Sequence, residues 1–420
     1  MINILVNAYA ISPNWGSEQG MGWNWVIHLA QYCHLDVITE GEWREEIEYT
    51  LKTLPQRDNL TFHYLPTSDK VRKMCWNQGD WRFYGHYRKW QKRALACAKN
   101  IIADHRIDVI HQLNMVGFRE PGYLWQIKDI PFVWGPVGGM ELMPMAYLKG
   151  APAKQRYFNS LKNFLNRLQY TYSPRVKAAI QRADVIISAV KGVQNVIKTV
   201  HHRDSILINE TGVEIISDLV KKESNANEPL KIIWVGKFDF RKQLPIALRS
   251  IIALNNKNIE FHICGAGSEA VTREMHEMAE AGGIGVQCFW HGNVPNKYVK
   301  RLMTESDLML FTSIMEATST VVLEAVSVGL PIVCFNTCGF GPIVKRFAGI
   351  TIELSNPDRS VIEFASILDQ LYNDRSILNR ISEKILLHRQ SLTWESKAEQ
   401  TVEIYKKIIQ RTILKNAEKE

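Results

Sequence analysis

The stretch Glu316-Ala-Thr-Ser-Thr-Val-Val-Leu-Glu324-Ala-Val-Ser-Val-Gly-Leu-Pro-Ile-Val333 decides the fold. It joins two strand-like runs, Asp307–Thr312 and Pro331–Phe335, through a loop and a helix, which is the repeating unit of a parallel sheet. The first strand ends, a short polar loop presents Glu316, and a helix begins near Ser319 or Thr320. Glu324 falls in the opening turns of that helix. Two carboxylates thus flank a helix N-terminus, whose unpaired N–H groups and dipole suit a phosphate-bearing ligand. Carboxylates accept hydrogen bonds from hydroxyls, so the pattern suits a polyhydroxylated ligand beside the phosphate. Spacing alone leaves a second reading open, in which one acid caps the helix and the other is merely solvated.

Outward from this stretch, short apolar strands alternate with helical patterns almost throughout. The first half offers strands at Ile2–Asn7, Leu35–Thr39, Leu60–Leu65, Asp108–Gln112, Pro131–Trp134, Asp184–Ala189 and Ser205–Ile208. The periodicity lapses between Asn209 and Glu228, and a fresh set follows at Lys231–Val235, Glu260–Cys264, Val286–Trp290, Asp307–Thr312 and Pro331–Phe335. A chain of 420 residues suits two domains. The expected division is an α/β domain over 1–212, a second over 213–393, and a helix over 394–420 returning toward the first, with the hinge near 209–228.

Composition is that of a globular protein, 46% hydrophobic and 22% charged. The opening Met1-Ile-Asn-Ile-Leu-Val-Asn-Ala8 lacks a basic leader region and reads as a first strand. No apolar run approaches the roughly 18 residues of a membrane span. The seven cysteines form no CxxC pair and no metal-like cluster, which suits buried free thiols in a reducing cytoplasm.

Net charge is +8, and it is unevenly placed. Trp81–Ala103 holds six Lys/Arg and Ala151–Ala183 holds seven, with no acid in either, so the rest of the chain is net −5 (8 − 13). That is local basicity, unlike the uniform charge of a nucleic-acid coat. In the first segment Phe83, Tyr87, Trp90, Ala94, Cys97 and Ile101 share one helical face, with Arg88, Lys92 and Lys99 on another. Two readings stand: a helix docked on the sheet with snorkelling basic stems, or a helix touching anionic lipid or a lipid-phosphate-linked substrate. The second segment interleaves Tyr157, Phe158, Phe164, Tyr170 and Tyr172 among its cations, which strengthens the lipid reading. Nothing else in the chain resembles a nucleic-acid module.

Several loops suit phosphate. Trp15-Gly-Ser-Glu-Gln-Gly-Met-Gly-Trp23 follows the first strand and leads into a helix expected at Asn24–Tyr32. Its Gly16, Gly20 and Gly22 allow close approach of a ligand to the backbone. Trp134-Gly-Pro-Val-Gly-Gly-Met-Glu141, with Gly139, leaves another strand on the same rim. In the second domain Lys237, Arg241 and Lys242 cluster before a helix start, an arrangement that grips a diphosphate, with Arg241 the one best explained as surface. Gly265-Ala-Gly267-Ser-Glu-Ala270 mimics a dinucleotide fingerprint, but it follows the domain's second strand. The region about 20 residues on also lacks the acid that would bind a ribose, so an NAD site is not expected.

In order and spacing these motifs resemble the retaining glycosyltransferases of family 4, which have the GT-B fold. The resemblance is strongest over about 230–335 and rests on Gly236-Lys237-Phe238, Lys242-Gln243, Trp290-His-Gly292-Asn-Val294, and Glu316 with Glu324, Ala325, Gly329 and Pro331. The two Gly-rich loops of the first half look like a branch associated with bacterial surface polysaccharide. The resemblance implies two Rossmann-like domains facing across a cleft, with the nucleotide-sugar donor held by the second and the acceptor by the first. It assigns Lys237 and Lys242 to the leaving diphosphate, Glu324 to the ribose, Glu316 to the sugar hydroxyls and the Val294 loop to the base. Thr318, Ser319 and Thr320, at the helix start, join the substrate-binding set. Ala317 and Ser319 replace the family's glycines, and Lys237 replaces its arginine, losing the two-pronged grip.

The resemblance implies catalysis without a metal or other cofactor, by positioning and by stabilising the departing diphosphate. His111, at the end of a strand, is assigned either an active-site role or that of a satisfied structural histidine. The expectation is a cytoplasmic transferase, peripheral at an anionic membrane surface, acting on a saccharide or lipid-linked saccharide and not on nucleic acid. Its rivals are a nucleotide-sugar epimerase or phosphorylase on the same fold, and a non-catalytic carbohydrate-binding protein.

Overall fold

The structure, a computed structural model, describes every residue except 78–79, 150, 152, 216–222, 256–257, 348 and 418–420, with only the backbone for 415–417. The 216–222 portion of the expected hinge and the last three residues of the expected 394–420 helix therefore lie outside the described residues. The chain forms two compact units. The first comprises Met1–Glu141, Phe164–Thr211 and Trp394–Glu420, and the second Leu142–Asn163 and Gly212–Thr393.

The first unit contains β1 (Ile2–Ala8), β2 (Cys33–Thr39), β3 (Leu60–Tyr64), β4 (Val109–Asn114), β5 (Phe132–Val137), β6 (Val185–Ser188) and β7 (Ile206–Leu207). They form one parallel sheet in the order β3-β2-β1-β4-β5-β6-β7. The second unit contains β8 (Leu230–Val235), β9 (Ile259–Cys264), β10 (Cys288–Gly292), β11 (Leu308–Phe311), β12 (Ile332–Phe335) and β13 (Ile350–Ile352). Their order, β10-β9-β8-β11-β12-β13, repeats the same winding, again all parallel. Both sheets are Rossmann-like, each wound outward in two directions from its first strand.

The reason lies in the strands' composition. β4, β5, β11 and β12 are buried along their whole length, as strands must be when helices cover both faces of a sheet. Ile4, Val6, Trp25, Val26 and Val133 anchor the first core; Trp234, Phe261, Phe311 and Phe335 anchor the second.

Three local expectations are corrected, and one strand, β13, was not expected. The helix expected at Asn24–Tyr32 runs from Ser17 to Leu29, so Gly20 and Gly22 lie inside it rather than in a ligand loop. A Cβ at Gly22 would stand 2.5 Å from the Ala10 carbonyl, so this glycine lets the helix press against the chain leaving β1. The strand expected at Val286–Trp290 starts at Cys288, because Gly285–Gln287 coil into a 3-10 turn. β13 is too short to show a periodicity.

Finally, Leu142–Asn163 groups with the second unit, not with the first as the expected boundary had it. Tyr147 is the reason: its hydroxyl meets Ser360 Oγ at 2.7 Å and accepts from Ser355 N at 3.2 Å, and its ring stands edge-on to Phe335. The Trp394–Ala417 helix groups with the first unit, packing Ala398, Val402, Tyr405 and Ile408 into that core.

The two basic-aromatic segments fold into helices of opposite habit. The first, Phe83–Asp104, buries Phe83, Tyr87, Trp90, Ala94, Ala98 and Ile101. The second, Ala153–Tyr172, leaves its large apolar side chains in solvent.

Candidate functional site

Each sheet reverses its winding once, between β1 and β4 in the first unit and between β8 and β11 in the second. In such sheets the loops leaving the strands' carboxyl ends diverge at this point and open a ligand crevice.

In the second unit those loops are Gly236–Gln243 after β8 and Thr312–Ser319 after β11. The divergence brings the side chains of Lys242 and Glu316 together, with Nζ 2.7 Å from Oε1. Only 13% and 17% of the two side chains is exposed, so the pair is shielded from salt. The ammonium also lies over the Phe311 ring, 5.2 Å from its centroid.

The backbone beneath is locked. Thr312 Oγ1 donates to the carbonyls of Lys242 (2.8 Å) and Gln243 (3.0 Å), and accepts from Trp234 Nε1 at 3.0 Å. Glu316 N donates to Cys338 Sγ at 3.1 Å. Asp239 organises the turn before Lys242, accepting from Arg241 N and pairing with the Arg241 guanidinium. Arg241 is therefore spent on the turn, as its surface reading expected. Lys237 stands exposed on the same loop.

The neighbouring loops are stitched to this one by backbone. Phe238 N donates to Ala266 O, Gly236 N to Cys264 O, and Gly265 N to Gly292 O. Gly265 has φ +142°, and a Cβ there would fall 1.8 Å from the Gly236 carbonyl. The dinucleotide-like glycine thus serves the contact between two loops.

The helix after β11 runs Thr320–Ser327, with Ser319 as its N-cap residue. Thr318 and Ser319 are buried and Thr320 is exposed. Glu324 projects from the helix and accepts from Asn296 Nδ2 at 2.8 Å. Burial raises the Glu324 carboxyl above its usual range, offset by the Asn296 hydrogen bond and by Lys300. Val294, half-buried, lies just before the Asn296–Glu305 helix that carries this asparagine.

In the first unit the winding reversal holds a carboxylate that sequence reasoning did not single out. Glu18 Oε1 accepts from Val116 N at 2.6 Å, tying the helix after β1 to the loop after β4. Burial lifts its carboxyl to about 7, helped by the charge of Glu210 and opposed by the Val116 hydrogen bond. Gly16 caps the Ser17–Leu29 helix, and Gly139, at φ +83°, follows β5.

His111 sits in the middle of β4. It is fully buried, with Nδ1 2.5 Å from the Tyr405 hydroxyl and Nε2 2.6 Å from the Gly135 carbonyl. The carbonyl can only accept, so Nε2 carries the proton and Nδ1 accepts from Tyr405. Burial pulls its pKa down to about 4, and both ring nitrogens are occupied, the environment of a structural histidine.

The residues missed from sequence are Glu18, Asn296, Thr312 and Cys338. Only Thr312 carried a signal, as the polar residue ending an apolar strand. Among the described residues no group of three or more His, Cys, Asp or Glu is placed to hold a metal ion.

Residues 216–387, less than half of the chain, match the family described as Glycosyl transferases group 1. An uncharacterized glycosyltransferase of Methanocaldococcus jannaschii, MJ1607, is 24% identical over 177 residues, covering 42% of this chain and 44% of that protein. The chain thus matches under half the length of this curated relative. Among solved structures, the lipopolysaccharide outer core galactosyltransferase WaaB superposes with a TM-score of 0.60 at 12% identity. That alignment covers 96% of this chain and 99% of WaaB. Anabaena Alr3699/HepE, solved with UDP, gives 0.59 at 13% identity over 97% and 100%. At these identities the likeness is one of fold.

Proposed function

We propose that this protein is a retaining glycosyltransferase that uses a nucleoside-diphosphate sugar, and that its donor site is the β8/β11 crevice of the second unit. The observation that carries the reading is the Lys242–Glu316 pair, which sets a cation for phosphate beside a carboxylate for sugar hydroxyls. Lys237 and Lys242 offset the charge of the departing diphosphate, and no metal ion is called for. Glu324, with Asn296, takes the ribose, and the Val294 loop lies by the base. Thr318–Thr320 line the sugar. The acceptor is assigned to the first unit, near Gly16, Gly139 and Glu18.

In the proposed step an acceptor hydroxyl oxygen bonds to the anomeric carbon on the face from which the phosphate oxygen departs. Its proton passes to that phosphate, and configuration is kept. WaaB is a lipopolysaccharide outer core galactosyltransferase, which supports a saccharide or lipid-linked saccharide acceptor in surface polysaccharide assembly. All seven cysteines are free, in keeping with a cytoplasmic setting.

A thermal-shift screen with UDP-, GDP- and ADP-sugars tests the donor assignment, since a ligand of the native state raises its stability by mass action. One class should raise the melting midpoint in the native protein and fail to do so in Lys242→Ala. A product whose anomeric configuration differs from the donor's would reject retention. Donor turnover without any acceptor would favour an epimerase, and a phosphate requirement a phosphorylase.

A further inference from the structure

The Ala153–Tyr172 helix is turned inside out. Asn159, Asn163, Asn166 and Tyr170, stepped by four, three and four, form the stripe that faces the protein. Asn163 pairs with both backbone groups of Met143, accepting from its N–H and donating to its carbonyl, each at 2.9 Å. Asn166 donates to the carbonyls of Gly139 (3.0 Å) and Glu141 (3.3 Å) and accepts from Arg119. Polar side chains therefore make the inward contacts.

The opposite stripe is Tyr157, Leu161, Phe164, Leu165, Leu168 and Tyr172, with exposures from 38% at Leu168 to 72% at Tyr157. A contiguous apolar stripe of this kind marks an interaction surface. At about 3.6 residues per turn, Arg156 and Arg167 fall on one border of the stripe and Lys162 on the other. All three are exposed, as is Lys154, and the sequence contains no acid between Glu141 and Asp184.

We propose that this face docks on a membrane surface rich in anionic phospholipid. An apolar stripe bordered by cations matches the boundary between acyl chains and acidic headgroups, with the basic stems reaching the phosphates. A second copy of the chain fits less well, because a two-fold axis would set this acid-free helix against its own cations. No helix among the described residues is long and apolar enough to cross a membrane, so the contact is one of lying on the surface. The inference is independent of the sugar-transfer reading.

The test is flotation of the full chain with phosphatidylcholine vesicles and with vesicles in which about a third of the lipid is phosphatidylglycerol. Binding to the anionic vesicles should exceed binding to the neutral ones at least tenfold and fall as salt rises, with each of Lys154, Arg156, Lys162 and Arg167 changed to Gln costing about fivefold. The pair Leu161→Asp and Leu168→Asp should lower it by at least about tenfold more. On the unaltered chain, anionic vesicles should slow amide exchange across 153–172 and leave 83–104 unchanged, a readout that does not depend on how a variant folds. Equal binding to both vesicles, no binding to either, or unchanged binding by the aspartate pair overturns the proposal. So does a lipid-free dimer that the aspartate pair dissociates, which would give the face to a second copy.

Discussion

Two helices of this protein have nearly the same composition and opposite fates. Phe83–Asp104 and Ala153–Tyr172 are both basic, aromatic and amphipathic. The first sinks its aromatic face into the protein: Tyr9 packs edge-on against Phe83, Tyr87 and Trp90, and Trp90 Nε1 donates to Leu65 O at 2.7 Å. Its polar residues are also claimed. Gln91 accepts from Asn7 and donates to Tyr87, and Arg88, with Arg175, pairs with the buried carboxylate of Glu120. The second helix docks through asparagines and shows its apolar face to solvent. Amphipathicity announces that a helix has two faces; what each face meets is set by the rest of the chain.

The sharpest way to break this contrast is truncation. Trp90→Ala should cost about 3–5 kcal/mol in denaturant unfolding, as a large aromatic lost from a core. Phe164→Ala should stay within about 0.5 kcal/mol, as an exposed substitution does. Equal losses would show that the second helix is also packed.

Asn166→Ala should come next, at about 1–3 kcal/mol, because the Gly139 and Glu141 carbonyls and Arg119 lose a buried partner. Asn166→Leu should not recover the loss, despite its greater apolarity. Recovery would mean that the polar docking stripe is incidental.

Arg88→Gln should cost about 1–2 kcal/mol, since it takes one of two guanidinium partners from Glu120. Arg167→Gln should leave stability unchanged. Arg88 is thus a structural cation, and reversing its charge tests folding rather than lipid binding.

A last effect is a pH dependence carried through the 114–116 loop. Tyr87 accepts from Met115 N, and the adjacent Val116 N donates to Glu18. With the Glu18 carboxyl raised from 4.5 to about 7, the folded state holds a proton that the unfolded chain releases. Its contribution is complete below 4.5 and is lost as pH rises through about 7. The denaturation midpoint should show that fall, and Glu18→Gln should flatten it. A midpoint with no such step in the native protein would mean that the loop packs too loosely to desolvate Glu18.

The same contrast explains what could be read in advance. Twelve strands were legible because continuous apolar runs, separated by helical periods, leave little else for the chain to do. Lys242 was singled out by a basic cluster before a helix start and Glu316 by its place in the loop before a helix, with their joint role implied by a family resemblance; the order of strands brings their loops side by side. The Ser17–Leu29 helix was misread at its start, since three glycines suggest a loop and nothing local shows that Gly22 is needed for Ala10 to come close. Glu18, Asn296 and Cys338 come from loops and helices far from their partners in sequence, so no spacing betrays them. His111 was expected at the end of a strand, where a catalytic residue is plausible, but β4 runs on to Asn114, and Tyr405, 294 positions later, occupies its second nitrogen.

The ion pair at the head of β11 also acts as a filter. With Lys242 already neutralised by Glu316, a bare anion entering the loop gains one ammonium and meets one carboxylate, and the two nearly cancel. A ligand that brings hydroxyls for Glu316 together with phosphate for Lys242 separates the pair and rewards both halves. Under the proposed donor assignment, inorganic phosphate and free pyrophosphate are therefore poor competitors for this crevice.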